Sequence, residues 1–197
     1  MNRAIHYGFL KLKAQALLVF AQPQAALHVF ERMLQLKPND SYALASCGHL
    51  YAVKNDLPRS IAHLQTLVRT SPGASVWFNL GYVLQQAGHH EDAEEAFRQA
   101  LLFDEHMDRA WYGLGLALMR RRQFEEAAVA FKSATKLQPM SPHAWYRLAE
   151  VWLALGRNDE ARAVLVHLKQ FEPKVAAQLE RLTLVQSPPI TITHAAR

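Results

Sequence analysis

The sequence predicts an all-α chain in which antiparallel helix pairs stack on one another as a solenoid, and three observations carry that expectation. Trp77, Trp111 and Trp145 stand 34 residues apart, twice over. Around each tryptophan the same residue types return. A leucine follows three later (Leu80, Leu114, Leu148), then a small residue (Gly81, Gly115, Ala149). An alanine comes sixteen after the tryptophan (Ala93, Ala127, Ala161) and a large apolar residue four beyond that (Phe97, Phe131, Leu165). Each block also holds two stretches with apolar residues at i, i+3, i+4 and i+7, the pattern of a helix with one buried face. One hairpin of short helices cannot bury both faces alone, so a repeated hairpin stacks on its neighbours.

Taken in chain order, residues 1–6 lead in and five blocks follow: 7–40, 41–73, 74–107, 108–141 and 142–175. The first is degenerate and uses Leu10, Ala14, Leu17, Ala26, Phe30, Met33 and Pro38. Lys13 stands in it where a core leucine recurs elsewhere, which reads as the water-facing cap of a terminal repeat. Lys11, Lys13 and Gln15 interrupt the apolar stretch from Phe9 to Phe20, so a helix explains it better than a secretory signal. The second block, one residue short, uses Leu44, Cys47, Gly48, Tyr51, Ser60, Leu64, Leu67 and Pro72. Pro23 and Pro58 fall where second helices begin, a place where a missing N–H costs nothing. Gly88 and Gly156 fall where first helices stop, at the position a C-terminal cap favours. In the fourth block the periodicity predicts helices over about Ala110–Arg121 and about Phe124–Lys136. Gly48, Gly81 and Gly115 lie inside helices at a cost of about 0.5–1 kcal/mol each relative to alanine, which predicts a neighbour too close for a side chain. Pro139 and Pro173 close the last two blocks, with Glu105 in that place in the third. Over 174–186, Val175, Leu179, Leu182 and Val185 predict an additional helix capping the C-terminal end of the stack. Ser187-Pro188-Pro189 ends it, and 187–197 reads as a flexible tail whose alternating Ile190, Thr191, Ile192 and Thr193 would also suit a strand or a groove.

The recurring W-x2-L-G-x2-Y, A-x3-F and closing proline resemble the tetratricopeptide repeat. The resemblance covers three strong and two degenerate copies in one register. It implies a right-handed superhelical solenoid whose concave side is lined by the first helix of each block, and a function in holding other proteins. It further implies which positions face that groove: the second, fifth, ninth, twelfth and thirteenth of each block, with the sixth partly exposed. On this sequence the candidate peptide groove is Tyr42, His49, Phe78, Asn79, Tyr82, Arg109, Tyr112, Arg120, Tyr146 and Arg147, with Ala45, Ala52, Gln85, Gln86, Leu116, Met119, His143, Glu150 and Leu153 between them. Phe78, Tyr82, Tyr112 and Tyr146 lie off the core positions, and aromatics beside arginine are the composition of interface hot spots. The alternative for these aromatics is that they cover the neighbouring helix and fill the groove floor. The family's clamp for a peptide's terminal carboxylate is matched by Asn79 and by Arg109 standing for a lysine, while Ala45, His49 and Gly113 depart from it. A narrower resemblance is to type III secretion translocator chaperones, through Asp104, Asp108, Arg109, Gly113, Leu114 and Gly115.

Composition sets the bounds. The chain has 197 residues, 50% hydrophobic and 20% charged, ordinary for a folded domain. Lysine and arginine number 22 against 17 acidic residues, a net charge of +5. No segment has the length and apolarity of a membrane span, and the single cysteine excludes an internal disulfide framework, which together predict a cytoplasmic protein. No catalytic constellation occurs: Cys47 sits on a core position, and G-x-G-x-x-G, G-x4-G-K-[ST] and H-E-x-x-H are all missing. His89-His90-Glu91-Asp92 reads as a solvated turn rather than a metal site, and no cofactor is expected. Arg120-Arg121-Arg122 is a compact basic patch at a helix C-terminus, where cations complement the dipole. Acidic residues interrupt the rest of the basic surface, which argues against a nucleic-acid partner. The reading is a non-enzymatic adaptor, scaffold or chaperone holding an extended peptide or a helix, acidic or apolar, in the concave groove. Two rivals stand beside it: self-assembly as a homodimer through block one, near Leu18 and Val19, and nucleic-acid binding through the arginine run.

Overall fold

The computed structural model describes residues 3–186, all of them in helices or the short turns between them; the expected tail, 187–197, lies outside the described residues. The helices run α1 (Arg3–Val19), α2 (Pro23–Leu36), α3 (Ser41–Val53), α4 (Leu57–Thr70), α5 (Ala74–Gln86), α6 (His90–Phe103), α7 (Asp108–Arg120), α8 (Phe124–Leu137), α9 (Pro142–Ala154), α10 (Asn158–Phe171) and α11 (Pro173–Gln186). Odd-numbered helices pack on the even-numbered helix that follows, and each even-numbered helix packs on the next odd one. α11 closes the stack against α9 and α10.

Local chemistry starts and stops these helices. Pro58 and Pro142 sit in the first turns of α4 and α9, and Pro23 begins α2. Asp40 and Asp56 cap α3 and α4 by accepting from the backbone N–H of Ala43 and Arg59. At the turn inside each pair one residue takes the left-handed conformation: Ala21, Asn55, Gly88, Arg122 and Gly156, with φ of 53°, 59°, 82°, 61° and 72°. The next residue's N–H then reaches back to a carbonyl five residues earlier, as in Gln22 to Leu17, Asp56 to Tyr51, His89 to Leu84, Gln123 to Leu118 and Arg157 to Trp152, all at 2.8–3.0 Å. That is one C-terminal capping motif repeated five times. Glycine marks two of the five turns, and the backbone adopts the same shape at the other three without it.

The core forms two buried clusters that meet at α3. The small residues expected inside helices do lie at close approaches, but the neighbour is a side chain and not a helix backbone. A Cβ at Gly115 would stand 2.7 Å from the Phe131 ring, and one at Gly81 3.0 Å from Phe97. Phe97 reaches past its own hairpin: a Cβ at Gly113, in the following repeat, would stand 2.5 Å from its ring. One fully buried phenylalanine thus locks two repeats together. The corresponding positions of the fifth block hold Ala149 and the smaller Leu165. Repeats are also tied by charge. Glu94, 4% exposed, bonds to Arg98 on its own helix and to Arg121 at the end of α7, and Arg98 reaches Glu126 on α8 at 3.0 Å.

Candidate functional site

The first helices α3, α5, α7 and α9 place the ninth, fifth and second positions of each block along one side of the stack. Two hollows open there. The larger, about 480 Å³, lies between α5, α7 and α9 and is lined by Phe78, Tyr82, Arg109, Tyr112, Leu116 and His143 among others. The smaller, about 250 Å³, lies between α3 and α5, with His49, Ala52, Asn79, Tyr82 and Gln86 on its walls. Tyr82, 51% exposed, is the wall they share.

The aromatic floor is anchored from beneath. Phe78 is tilted against buried Phe97 with ring centres 5.9 Å apart, and Tyr112 sits edge-on to Phe131 at 5.7 Å. Phe78 also stacks on Tyr82 at 6.5 Å. Above Phe78 the Arg109 guanidinium lies 5.0 Å from the ring centre, held over its electron-rich face at the rim of the larger hollow. Phe78 and Tyr112 cover the second helices, and together with Tyr82 they line the hollow.

The remaining candidates separate. Arg147 is engaged: it donates to Glu150 at 2.7 Å, and although burial lowers its pKa, hydrogen bonds to Glu150 and Tyr112 more than restore it and carry it upward. Tyr146 lies against α11, hydrogen-bonded to Gln178, and burial with the nearby Glu150 charge pushes its phenol up. Tyr42 sits at the far end, edge-on to Phe30 at 5.5 Å with the Lys11 ammonium 5.2 Å over its ring. Arg120 is exposed at the end of α7. The structure thus joins Phe78, Tyr82, Arg109 and Tyr112 in one hollow and His49, Asn79 and Tyr82 in the other, and it leaves Tyr42, Arg120, Tyr146 and Arg147 outside both. It adds Gln138 and Ser141 from the α8–α9 connection to the larger one, residues that a reading confined to first-helix positions passes over.

Two expectations about charge need correction. Arg120, Arg121 and Arg122 do not form one patch: Arg121 turns back to Glu94 and to Glu91, and Arg122 occupies the left-handed turn. Glu94, one of the acidic residues expected to interrupt the basic surface, is instead the buried centre of that inter-repeat bridge. At Cys47, burial and then the Glu31 charge push the thiol up to about 12, far from a nucleophile's range. His89–Asp92 is not an inter-helix turn but the N-cap and first turn of α6, where Glu91 pairs with Arg121, and among the described residues no group of three or more His, Cys, Asp or Glu is placed to hold a metal ion. No helix among the described residues is long and apolar enough to cross a membrane.

Comparison with known proteins places this geometry. The tetratricopeptide repeat profile matches residues 11–75, 48–110, 78–131 and 112–171. A curated relative, the general transcriptional corepressor ssn6 of Schizosaccharomyces pombe, is 29% identical over 87 residues, which are 43% of this chain and 8% of the corepressor. Among solved structures, the fold is similar to that of YrrB, described as a tetratricopeptide protein with an unusual peptide-binding site (TM-score 0.77, 19% identity, 85% of this chain and 88% of that one). It is also similar to MamA (TM-score 0.81, 19% identity, 87% and 94%) and to MamA from Desulfovibrio magneticus RS-1 (TM-score 0.75, 21% identity, 89% and 96%). The tetratricopeptide fold is a protein–protein interaction module, and its profile here runs from residue 11 to residue 171. The chain belongs to the tetratricopeptide repeat family.

Proposed function

We propose that this chain is a non-enzymatic adaptor or chaperone of the cytoplasm that holds a segment of another protein in its concave groove. Its five repeats, 7–40, 41–73, 74–107, 108–141 and 142–175, supply the groove, and the helix after them caps the stack. The observation that carries this reading is the hollow of about 480 Å³ floored by Phe78, Tyr82 and Tyr112 with Arg109 at its rim. Its volume suits one large side chain of a partner, aromatic or aliphatic. Arg109 and His143 suit an acidic residue beside that anchor. Anchors of this kind dominate interface energetics, while the surrounding contacts exclude water. Asn79 and His49, in the neighbouring hollow, would take backbone or polar groups further along the same segment. The description of YrrB as a peptide-binding protein of this fold supports the groove reading.

The test is a double substitution, Tyr112→Ala with Arg109→Ala. A partner captured from native lysate by the wild-type chain should lose affinity about 30-fold or more, the loss of one hot-spot anchor. Circular dichroism should show unchanged helix content. Equal capture by the double variant would place binding elsewhere on the surface.

A further inference from the structure

Among the described residues, no helix packs on the first pair from the side where each later pair meets the preceding one. In the later blocks each first helix packs on the second helix of the preceding block, and its third and tenth positions are buried apart from half-buried Val76. Ala43, Ala110 and Ala144 at the third position are buried, as are Leu50, Val83, Ala117 and Val151 at the tenth. The equivalents in α1 are Phe9, 63% exposed, and Ala16, also exposed. A second comparison agrees. Between α5 and α6, the hollow on the side that meets the preceding block, about 430 Å³, has Gln65, Val68 and Arg69 of α4 as one wall. The equivalent hollow of α1 and α2, about 550 Å³, has Leu10, Lys13, Leu17, His28, Val29 and Arg32 on its walls and no such third wall among the described residues. The exposed apolar residues on this side of α1 are Ile5, Phe9 and Ala16, while Leu12 and Val19 hold the sixth and thirteenth positions, which face the groove.

Charge narrows what can cover it. The ionisable groups on this face are Lys13, Arg32 and His28, and α1 contains no aspartate or glutamate. A second copy docking head to head would set α1 against α1, lysine facing lysine. A copy docking head to tail would present α11, whose exposed positions include Lys174, Ala177 and Arg181. Among the described residues, the exposed charged side chains of α1 and α11 are basic and do not complement the face. We propose that it binds an amphipathic helix of a partner protein, about four turns long, with acidic residues flanking its apolar stripe. The helix takes the place that a preceding second helix would fill and extends the stack by one layer. This site is separate from the concave groove and does not rest on it.

Two peptides from the chain itself serve as probes. The α6 sequence, His90–Phe103, is an acidic second helix that natively packs on the following first helix; the α4 sequence, Leu57–Thr70, is its basic counterpart. Fluorescence anisotropy with the full chain should show the α6 peptide binding about tenfold or more tightly than the α4 peptide, and weakening with salt. Ile5→Ser with Phe9→Ser, both at exposed positions, should abolish it. Lys13→Glu with Arg32→Glu should reverse the preference so that the α4 peptide binds better, while Tyr112→Ala leaves both unchanged. Equal affinities, no binding of the α6 peptide at about 1 mM, or indifference to the α1 substitutions would each overturn the proposal. A dimer in light scattering that Phe9→Ser dissolves would assign the face to a second copy. Binding to phosphatidylserine vesicles through the same residues would assign it to a membrane surface. Either result also overturns it.

Discussion

At the scale of single residues, the repeat shows where one conformation is imposed on unlike side chains. Arg122 takes the left-handed turn that Gly88 and Gly156 fill at equivalent places, at φ 61°. Left-handed backbone costs an ordinary residue about 1–2 kcal/mol, partly offset by glycine's greater freedom when unfolded. Arg122→Gly is therefore expected to stabilise the chain by about 0.5–1 kcal/mol, read as a raised urea midpoint with unchanged slope. Cys47 provides a second measurement. Its thiol is raised from 9.0 to about 12, so the folded chain holds a proton that the unfolded chain releases above about pH 9. The stabilisation is complete below pH 9 and is lost as pH rises towards 12, by at most about 1.4 kcal/mol per pH unit. Cys47→Ala should flatten that part of the pH profile of stability, and the wild-type thiol should resist Ellman's reagent until the chain unfolds. The sequence pattern identified this cysteine as core and Gly88 as a cap. It was silent on Arg122, because a backbone conformation set by the packing of two helices leaves no mark on a residue that merely tolerates it.

Between elements, the decisive contact is the Phe97 ring between Gly81 and Gly113. Gly113→Ala improves helix propensity by about 1 kcal/mol, but its Cβ would stand 2.5 Å from a ring that is 1% exposed. Overpacking costs about 1–3 kcal/mol, so the net expectation is a loss of up to about 2 kcal/mol, seen as a lower melting temperature. The helix pairs were legible from apolar spacing because period 3.6 survives in every block. The Glu94 bridge to Arg98 and Arg121 was not, since its partners lie 4 and 27 residues away and only stacking brings all three together. The same stacking divides the candidate groove. Tyr146 and Arg147 sit at groove positions of the repeat, yet α11 and Glu150 occupy them.

For the whole molecule, stability is a sum over neighbours, and the two ends differ. α11 buries Ala176 and Leu179 completely and covers α9 and α10, while nothing among the described residues covers the outer side of α1. Removing α11 by truncation after Glu172 should cost about 2–4 kcal/mol, the burial of one or two large apolar side chains. The loss should be local, as in a one-dimensional stack. Hydrogen exchange should therefore quicken in α9 and α10 and stay unchanged in α3; uniform quickening would mean that the repeats fold as a single unit. The spacing of tryptophans, leucines and small residues was sufficient by itself to determine an all-helical stack and its register, because each hairpin repeats the same local chemistry and meets only its neighbours. Which groove residues share a hollow, which arginines are already paired and which end of the stack lies bare were decided only by the tertiary structure. Those properties depend on side chains from different blocks converging in space, and a 34-residue period constrains positions along the chain, not what each side chain finds opposite it.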